Sequence, residues 1–264
     1  MDLEIGGRVA CVTGGSLGLG RAIAHALSRE GASVVITSRR REVLEKTAAE
    51  IAEQTGGEVA GIPSDTRDTG SVRKMIGEAV ERFGRLDILV NGAAAPSGLV
   101  RNSLGEADPE LLLEDINTKV VGYFRCAQAA APHMRAVGFG RIVNIGGLTG
   151  RSSHAISGLR NLAVVHLTKV LSDQLGPDGV TVNTIHPGVV ETEHIHELYE
   201  REARKQGTTA RAVEQGFIDR TPIRRVLSAE EIADLVVFLS SPRAGAITGE
   251  SIGIDGGLTR GIFL

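Results

Sequence analysis

Short apolar runs alternate with longer amphipathic segments along the whole chain. The runs are rich in Val and Ile, and Gly, Asn or Pro bounds most of them. Such runs are typical of parallel strands that are covered on both faces. The pattern predicts seven strands: Val9 to Thr13, Ser33 to Ser38, Val59 to Pro63, Ile88 to Asn91, Arg141 to Ile145, Thr181 to His186 and Ser251 to Ile254.

The segments between these runs follow the period of a helix. The first has its apolar residues on one face and is followed by Gly31, where a helix commonly ends. In the last, Ser228 with Glu231 three residues later is typical of a capping box. The predicted helices are Arg21 to Glu30, Glu42 to Thr55, Ser71 to Phe83, Leu111 to Ala136, Gly158 to Leu175 and Ala229 to Ser240.

This alternation of strands and helices predicts an α/β fold. We expect one domain over residues 1–264, a doubly wound, Rossmann-like parallel sheet with helices on both faces. One stretch departs from the pattern: residues 192–225 are charged and contain Gly207 and Gly216. Because it is longer than a usual connection, we predict a mobile lid or substrate loop there.

Composition and charge exclude several classes of protein. The formal net charge is −3 and the cations are scattered, so no basic field for nucleic acid is expected. No apolar run approaches the roughly 20 residues of a membrane span, and the first residues lack the order of a secretion signal. Cys11 and Cys126 fall in apolar stretches, and we expect both to be reduced core residues of a soluble, cytoplasmic protein. No metal site is predicted, since His194 and His196 have no third ligand at a useful spacing.

A glycine-rich turn joins the first predicted strand to the first helix. In this position, backbone N–H groups and a helix N-terminus can approach a pyrophosphate closely. The turn therefore predicts a dinucleotide site. It consists of Thr13, Gly14, Gly15, Ser16, Leu17, Gly18, Leu19 and Gly20.

The spacing of this turn matches the TGxxxGxG pattern of the short-chain dehydrogenase/reductase family, which the chain resembles over nearly its whole length. Residues 87–94 are similar to the family's DILVNNAG strand, with Gly92 and Ala94 at the two departures. Pro187, Gly188 and Thr192 match its PGxxxT loop, and residues 247–257 match its C-terminal signature.

The resemblance implies a cofactor site, a small-molecule substrate and an oligomer. The helices Leu111 to Ala136 and Gly158 to Leu175 correspond to the pair through which family members form homodimers and homotetramers. Asp65 lies where the family contacts adenine. The implied cofactor-binding residues are Thr13, Gly14, Ser16, Leu17, Gly18, Leu19, Gly20, Ser38, Arg39, Arg40, Asp65, Thr66, Asn91, Gly92, Ala93, Pro187, Gly188, Val190 and Thr192.

The end of the second predicted strand favours NADP(H) over NAD(H). An acid there would hold the free ribose hydroxyls of NAD, whereas a cation suits the extra phosphate of NADP. Thr37 and Ser38 are followed by Arg39 and Arg40 with no acid, and a guanidinium binds phosphate in bidentate fashion. The alternative is that residues 39–41 are only a solvated turn.

The family's proton-transfer pair is missing. In the family, a Tyr exchanges the proton, a Lys four residues later lowers the pKa of that Tyr and holds the nicotinamide ribose, a Ser polarises the carbonyl, and an Asn supports a water relay. The chain has two tyrosines, Tyr123 and Tyr199, and four residues after them stand Ala127 and Ala203. No YxxxK motif therefore exists.

Alignment to the family names four replacements. Registering Leu167-Thr168-Lys169 on the family's LTK places Ser157 at the Tyr position and Asn161 at the Lys position. The strand that begins at Arg141 resembles RIVNISS, which puts Gly147 at the Ser. Lys119 falls at the Asn, or Asn117 takes that place if the register slips.

Three side chains are candidates for the missing proton donor. An amine removed from water has its pKa lowered toward neutrality, so Lys119, one turn before Tyr123, is a candidate to hold the ribose or to act as acid and base. Alternatively, Lys119 reaches the solvent and Tyr123 packs between helices. His154 and His186 titrate near physiological pH, or are polar residues of a loop and a strand end.

Three functions fit this sequence. The first is an NADP(H)-dependent oxidoreductase of a carbonyl or secondary alcohol with altered catalytic residues. The second is a non-redox hydratase, lyase or isomerase that uses Lys119 or a His as a base. The third is a silent protein that binds NADP(H) without turnover.

Overall fold

A seven-stranded parallel sheet forms the centre of the protein, as seen in a computed structural model. The structure describes residues 2–95, 100, 103–151 and 155–261, with residue 194 described by its backbone alone. The strand order is β3-β2-β1-β4-β5-β6-β7. The strands are β1 (Val9–Thr13), β2 (Ser33–Thr37), β3 (Val59–Gly61), β4 (Ile88–Asn91), β5 (Gly140–Ile145), β6 (Val180–Pro187) and β7 (Ser251–Ile254).

The strand order reverses at β1, which pairs with β2 on one side and β4 on the other. Open α/β sheets bind ligands beyond the carboxyl ends of the strands at such a reversal. The helices are α1 (Gly18–Arg29), α2 (Arg41–Thr55), α3 (Thr69–Phe83), α4 (Pro109–Ile116), α5 (Gly122–Val137), α6 (Gly158–Leu175), α7 (Glu193–Gln206), α8 (Ala210–Arg220) and α9 (Ala229–Leu239).

Alternate residues of the strands face two separate apolar cores. Along β1, Ala10 and Val12 pack against α1, α2 and α9, while Val9 and Cys11 pack against α3, α5 and α6. Cys11 and Cys126 are buried and free of disulfides, as expected, and burial raises the pKa of the Cys126 thiol to about 12. The predicted fold is confirmed: a parallel sheet with helices on both faces.

The helix predicted from Leu111 to Ala136 is wrong as a single regular element. Asp108 caps its start, so α4 begins at Pro109. A π-helical turn, Asn117–Val121, then interrupts the path, and α5 follows. Apolar periodicity does not distinguish one π turn within a helix, whereas such turns occur frequently at functional sites.

The loop predicted over residues 192–225 is also wrong in its structure. This segment contains α7 and α8, which share a small apolar cluster. The cluster buries Ile195, Tyr199, Ala203 and Val213. Charged residues surround this narrow apolar stripe, so the segment has the composition of a surface loop although α7 is amphipathic.

The predicted bounds of β1, β4, β7 and α6 are confirmed, whereas those of several other elements differ by one to three residues. The helix α1 begins at Gly18 rather than Arg21, because the glycine turn itself enters the helix. The strand β3 ends at Gly61 rather than Pro63, and β6 extends to Pro187. Among the described residues, no helix has the length and apolar character needed to cross a membrane.

Candidate active site

The glycine turn lies at the carboxyl end of β1 and is closely packed. Gly14 has a φ of +71°, and a Cβ at Gly20 would lie 2.2 Å from the carbonyl oxygen of Gly14. A side chain at either position is therefore excluded by conformation or by backbone contact. Thr13 Oγ1 accepts hydrogen bonds from the backbone of Gly92 and Ala93, at 3.1 and 3.2 Å. These bonds join the ends of β1 and β4.

The N-terminus of α1 is available to an anion. Leu17 is the N-cap residue and its side chain makes no capping hydrogen bond, and the first turn holds no acidic residue. The free N–H groups of such a turn, together with the helix dipole, favour a phosphate. The backbone of the turn also contacts α2, because the hydroxyl of Thr47 donates a 3.1 Å hydrogen bond to the carbonyl oxygen of Ser16.

At the end of β2, two hydroxyl groups are buried and have no hydrogen-bond partner within the described part of the chain. These are Oγ1 of Thr37 and Oγ of Ser38. Buried polar atoms need hydrogen-bond partners, so this pair fits a bound group rich in hydroxyl or phosphate oxygens. Arg39 and Arg40 follow and are exposed.

The other predicted cofactor residues lie at the same edge of the sheet. Asp65 is held by Arg67, whose side-chain hydrogen bonds lower the pKa of the carboxyl. Thr66 donates to the carbonyl of Thr118 at 3.3 Å. Beyond β6, the backbone of Gly188 donates to Ile254 O at 2.9 Å. Val190 forms a bridge with Leu227, and Thr192 is the N-cap residue of α7. The residues present thus fit a dinucleotide.

A buried chain of amides and hydroxyls supports this edge from below. Asn91 donates to Asn144 at 2.9 Å, and Asn144 donates to Thr168 at 2.8 Å. The hydroxyl of Thr168 lies 2.6 Å from that of Thr184. These hydrogen bonds connect β4, β5, α6 and β6, while Oδ1 of Asn91 accepts no hydrogen bond from any residue that the structure describes.

Lys119 lies in the π turn and is buried, with 3% of its surface exposed. Its Nζ donates to the carbonyl of Gly146 at 2.8 Å and to Oδ1 of Asn161 at 2.7 Å. Burial, with a smaller contribution from Arg160, lowers the pKa of Lys119 to about 7. The solvent-exposed alternative for this side chain is therefore wrong, and the amine can gain or lose a proton near neutrality.

Asn161 is bonded at both ends of its amide. Its Oδ1 accepts from Lys119, and its Nδ2 donates to Thr149 Oγ1 at 2.7 Å. A Cβ on Gly147 would lie 2.7 Å from Nδ2 of Asn161. The amide thus fills the space that a side chain at position 147 would need.

Tyr123 reaches the same strand end as Lys119. Its hydroxyl donates to the carbonyl of Ile145 at 3.1 Å, next to the carbonyl that Lys119 contacts. Burial raises the pKa of the phenol, which keeps it neutral. Tyr123 therefore supports the carboxyl end of β5.

His186 is fully buried at the end of β6. Its Nδ1 lies 3.0 Å from the backbone nitrogen of Gly147, and its Nε2 lies 2.9 Å from the hydroxyl of Ser251. Burial lowers the pKa of the imidazole to about 4. The ring is neutral at physiological pH, and both of its nitrogens are engaged.

The other catalytic candidates have different settings. Ser157 is buried as the N-cap residue of α6 and makes no capping bond through its side chain. His154 lies outside the described residues. No group of three metal-ligating side chains occurs within the part of the chain that the structure describes.

Three residues near Lys119 were not found from the sequence. Thr149 receives the amide of Asn161, and Asp115 forms a buried ion pair with Arg160. The available signal was the spacing of Asp115 four residues before Lys119 and the position of Arg160 directly before Asn161.

Comparisons with known proteins agree with this geometry. A family model described as Enoyl-(Acyl carrier protein) reductase matches residues 14–259. The short-chain reductase protein NovJ of Streptomyces niveus is 36% identical, over 94% of this chain and 93% of that protein. The NADPH-dependent reductase BacG of Bacillus subtilis is 32% identical, over 97% of this chain and 99% of that protein.

Solved structures extend the likeness to the whole fold. The L-sorbose reductase of Gluconobacter frateurii, in complex with NADPH and L-sorbose, superposes with a TM-score of 0.92. It is 29% identical, and the match covers 99% of this chain and 100% of that chain. The strand order, the glycine turn and these relatives lead to one conclusion: the chain belongs to the short-chain dehydrogenase/reductase family.

Proposed function

We propose that this protein is an NADP(H)-dependent oxidoreductase of a carbonyl or secondary alcohol, in which Lys119 replaces the family's tyrosine as the proton-exchanging group. The observation that carries the proposal is the buried amine of Lys119, bonded to Asn161 and to the end of β5. The glycine turn and the free N-terminus of α1 support cofactor binding.

NADP(H) is proposed on the basis of the residues after β2. Arg39 and Arg40 would hold the extra phosphate, and the unpartnered hydroxyls of Thr37 and Ser38 lie beside them in sequence. The L-sorbose reductase structure contains NADPH, and BacG is named as NADPH-dependent. Each supports the same cofactor here.

The Lys and the Asn of the family's active site stand at each other's positions in this chain, as Lys119 and Asn161. The aligned positions would carry Asn and Lys, whereas here the Lys stands on the π turn and the Asn on α6. Their side chains meet at 2.7 Å, so the amine of Lys119 lies against the residue that aligns with the family's Lys. This exchange supports a retained role for the amine.

Each residue near the amine has a distinct part in the proposed reaction. The bound nicotinamide supplies or accepts the hydride at the substrate carbon. In reduction, Nζ of Lys119 gives the proton that the substrate oxygen gains; in oxidation, it takes that proton back. The Gly146 carbonyl and Asn161 orient two of its N–H bonds, which leaves the third for transfer. The hydroxyl oxygen of Thr149 accepts a hydrogen bond from Asn161, so its O–H group is free to donate a hydrogen bond to the substrate oxygen.

The cofactor is tested by titrating NADPH and NADH into the purified protein. We expect tighter binding of NADPH, and Arg39→Ala should weaken NADPH binding by about tenfold or more while leaving NADH binding little changed. Arg211→Ala, at an exposed site on α8, is the matched control. Tighter binding of NADH by the unaltered protein would refute the cofactor.

The reaction is tested by following NADPH oxidation with a panel of ketones, aldehydes and acyl thioesters. Reduction needs protonated Lys119, so its rate should fall as the pH rises through about 7, and the oxidation rate should rise. Lys119→Met should remove turnover but leave NADPH affinity within a few-fold. Turnover that is unchanged in Lys119→Met, or that needs no cofactor, would refute the proposal; tight NADPH binding without turnover would favour a silent binding protein.

We also propose a homodimer or homotetramer. Large apolar side chains on α5 and α6 are exposed to solvent in the single chain, and a subunit interface would bury them. These are Phe124, Leu159, Leu162 and Val170, with exposures of 36% to 59%. Exposed apolar patches of this kind on neighbouring helices favour a protein interface.

A further inference from the structure

A buried ion pair lies next to Lys119. Asp115 of α4 is fully buried, and the guanidinium of Arg160 on α6 donates to its Oδ1. Oδ2 of Asp115 and Nε of Arg160 have no hydrogen-bond partner among the described residues. Burying two charges with unsatisfied atoms costs free energy that their attraction often does not recover. The pair therefore needs a reason beyond stability.

The positions of the two charges relative to Lys119 suggest that reason. Asp115 precedes Lys119 by four residues, the spacing at which a regular helix brings an acid and a base together. Among the described residues, however, no carboxylate lies within ion-pair distance of the amine, whose acceptors are the neutral oxygens of Gly146 and Asn161. Asp115 is bonded to Arg160 instead.

The local backbone and the next helix both contribute to this separation. The π turn begins at Asn117, between Asp115 and Lys119, and shifts the helical register at that point. On α6, Arg160 directly precedes Asn161, so one stretch of helix provides the partner of Asp115 and the partner of Lys119. Both contacts are thus made with α6, one from α4 and the other from the π turn.

We propose that Arg160 is a positioning residue that binds Asp115 and withholds it from Lys119, so that the amine faces neutral acceptors and can release its proton. The proposal rests on the function proposed above, in which Lys119 exchanges the proton. Without Arg160, the buried carboxylate would take Lys119 as its cation, and the resulting ion pair would hold the proton on the amine.

The other titratable groups around Lys119 do not supply this effect. Tyr123 on α5 is a neutral phenol with a raised pKa. His186 on β6 is a neutral imidazole with its pKa lowered to about 4. Burial is the main cause of the low pKa of Lys119; Arg160 lowers this pKa further, whereas Asp115 raises it. The charges that face the amine within the described residues are therefore those of Asp115 and Arg160.

The test is a set of three variants: Arg160→Met, Asp115→Asn, and both together. The titration of Lys119 is followed by NMR of isotope-labelled lysine, with its signal assigned by loss in Lys119→Met. We expect the titration midpoint to rise by at least about one pH unit in Arg160→Met, to fall in Asp115→Asn, and to lie near that of the unaltered protein in the double variant. Arg135→Met, which breaks an exposed pair with Asp178, is the control and should shift nothing.

Opposite shifts distinguish positioning from a purely structural role, because loss of packing would not move the midpoint in two directions. If Arg160→Met alone fails to fold, the other two variants still test the proposal. The titration midpoint of Lys119 must then be higher in the double variant than in Asp115→Asn. Shifts of the same sign, or none, would overturn the proposal. Expected shifts without a matching change in the pH profile of turnover would leave this inference standing and refute the proposed function.

Discussion

Replacing Lys119 with Met should change how the stability of the protein depends on pH. The side chain is buried, and its pKa is about 7 in the folded protein against an ordinary value of 10.5. A lysine with a lowered folded pKa destabilises the fold when it must be charged. This cost is complete below the folded pKa and disappears as the pH rises to the ordinary value.

The size of the effect follows from the two pKa values. At about 1.36 kcal/mol per pH unit, the cost below pH 7 is on the order of 5 kcal/mol. Between about pH 7 and pH 9, the free energy of unfolding should rise by about 2 kcal/mol from this group. Lys119→Met has no titrating amine at this position, so it should not show this rise. It also loses the two hydrogen bonds of the amine, but this loss changes the free energy of unfolding by an amount almost independent of pH.

The assay is urea unfolding of both proteins at several pH values. We expect the unaltered protein to gain about 2 kcal/mol relative to Lys119→Met between about pH 7 and pH 9. Lys46→Met removes an exposed lysine of α2 and controls for the loss of one positive charge. Parallel pH profiles for the unaltered protein and Lys119→Met would refute the reasoning, because they would mean that the amine is not desolvated.

Three further predictions concern other parts of the fold. Gly20→Ala should lower the free energy of unfolding by a few kcal/mol and weaken NADPH binding at least about tenfold, since its Cβ would meet the backbone of Gly14. The control is Gly77→Ala, at a helical position with open space around it, which should stabilise the protein by up to about 1 kcal/mol. Both effects on stability are measured by urea unfolding. Ser228→Ala should cost about 1 kcal/mol in the same assay by removing the capping box of α9. Leu162→Glu should lower the mass measured by light scattering if the apolar surface of α6 is buried between subunits.

Most of the fold could be predicted because buried parallel strands and their crossover helices leave strong local patterns. The glycine turn is a local pattern as well, since its geometry depends on residues that adjoin in sequence, such as Gly14, Gly18 and Gly20. The helices α7 and α8 were missed because their segment is highly charged and buries only a narrow apolar stripe, although that stripe has helical spacing in α7.

The candidate site was predicted in part. Alignment named Lys119 and Asn161 separately, but their contact joins residues 42 positions apart and depends on how α6 packs against the π turn. The pair of Asp115 and Arg160 is equally distant, at 45 positions. The residues that adjoin each partner in sequence do not indicate the other partner, so these contacts could be identified only from the packing of α6 in the structure.

The contact between the amide of Asn161 and Gly147 limits how this site can be altered. Gly147→Ser alone would drive a side chain into that amide, 2.7 Å from the new Cβ. Asn161→Lys alone would bring a second ammonium to the place where Lys119 already lies. Either of these two substitutions alone therefore creates a clash or a buried repulsion. A variant that combines Gly147→Ser with Asn161→Lys must therefore also replace Lys119, so these three positions can be altered only as a set.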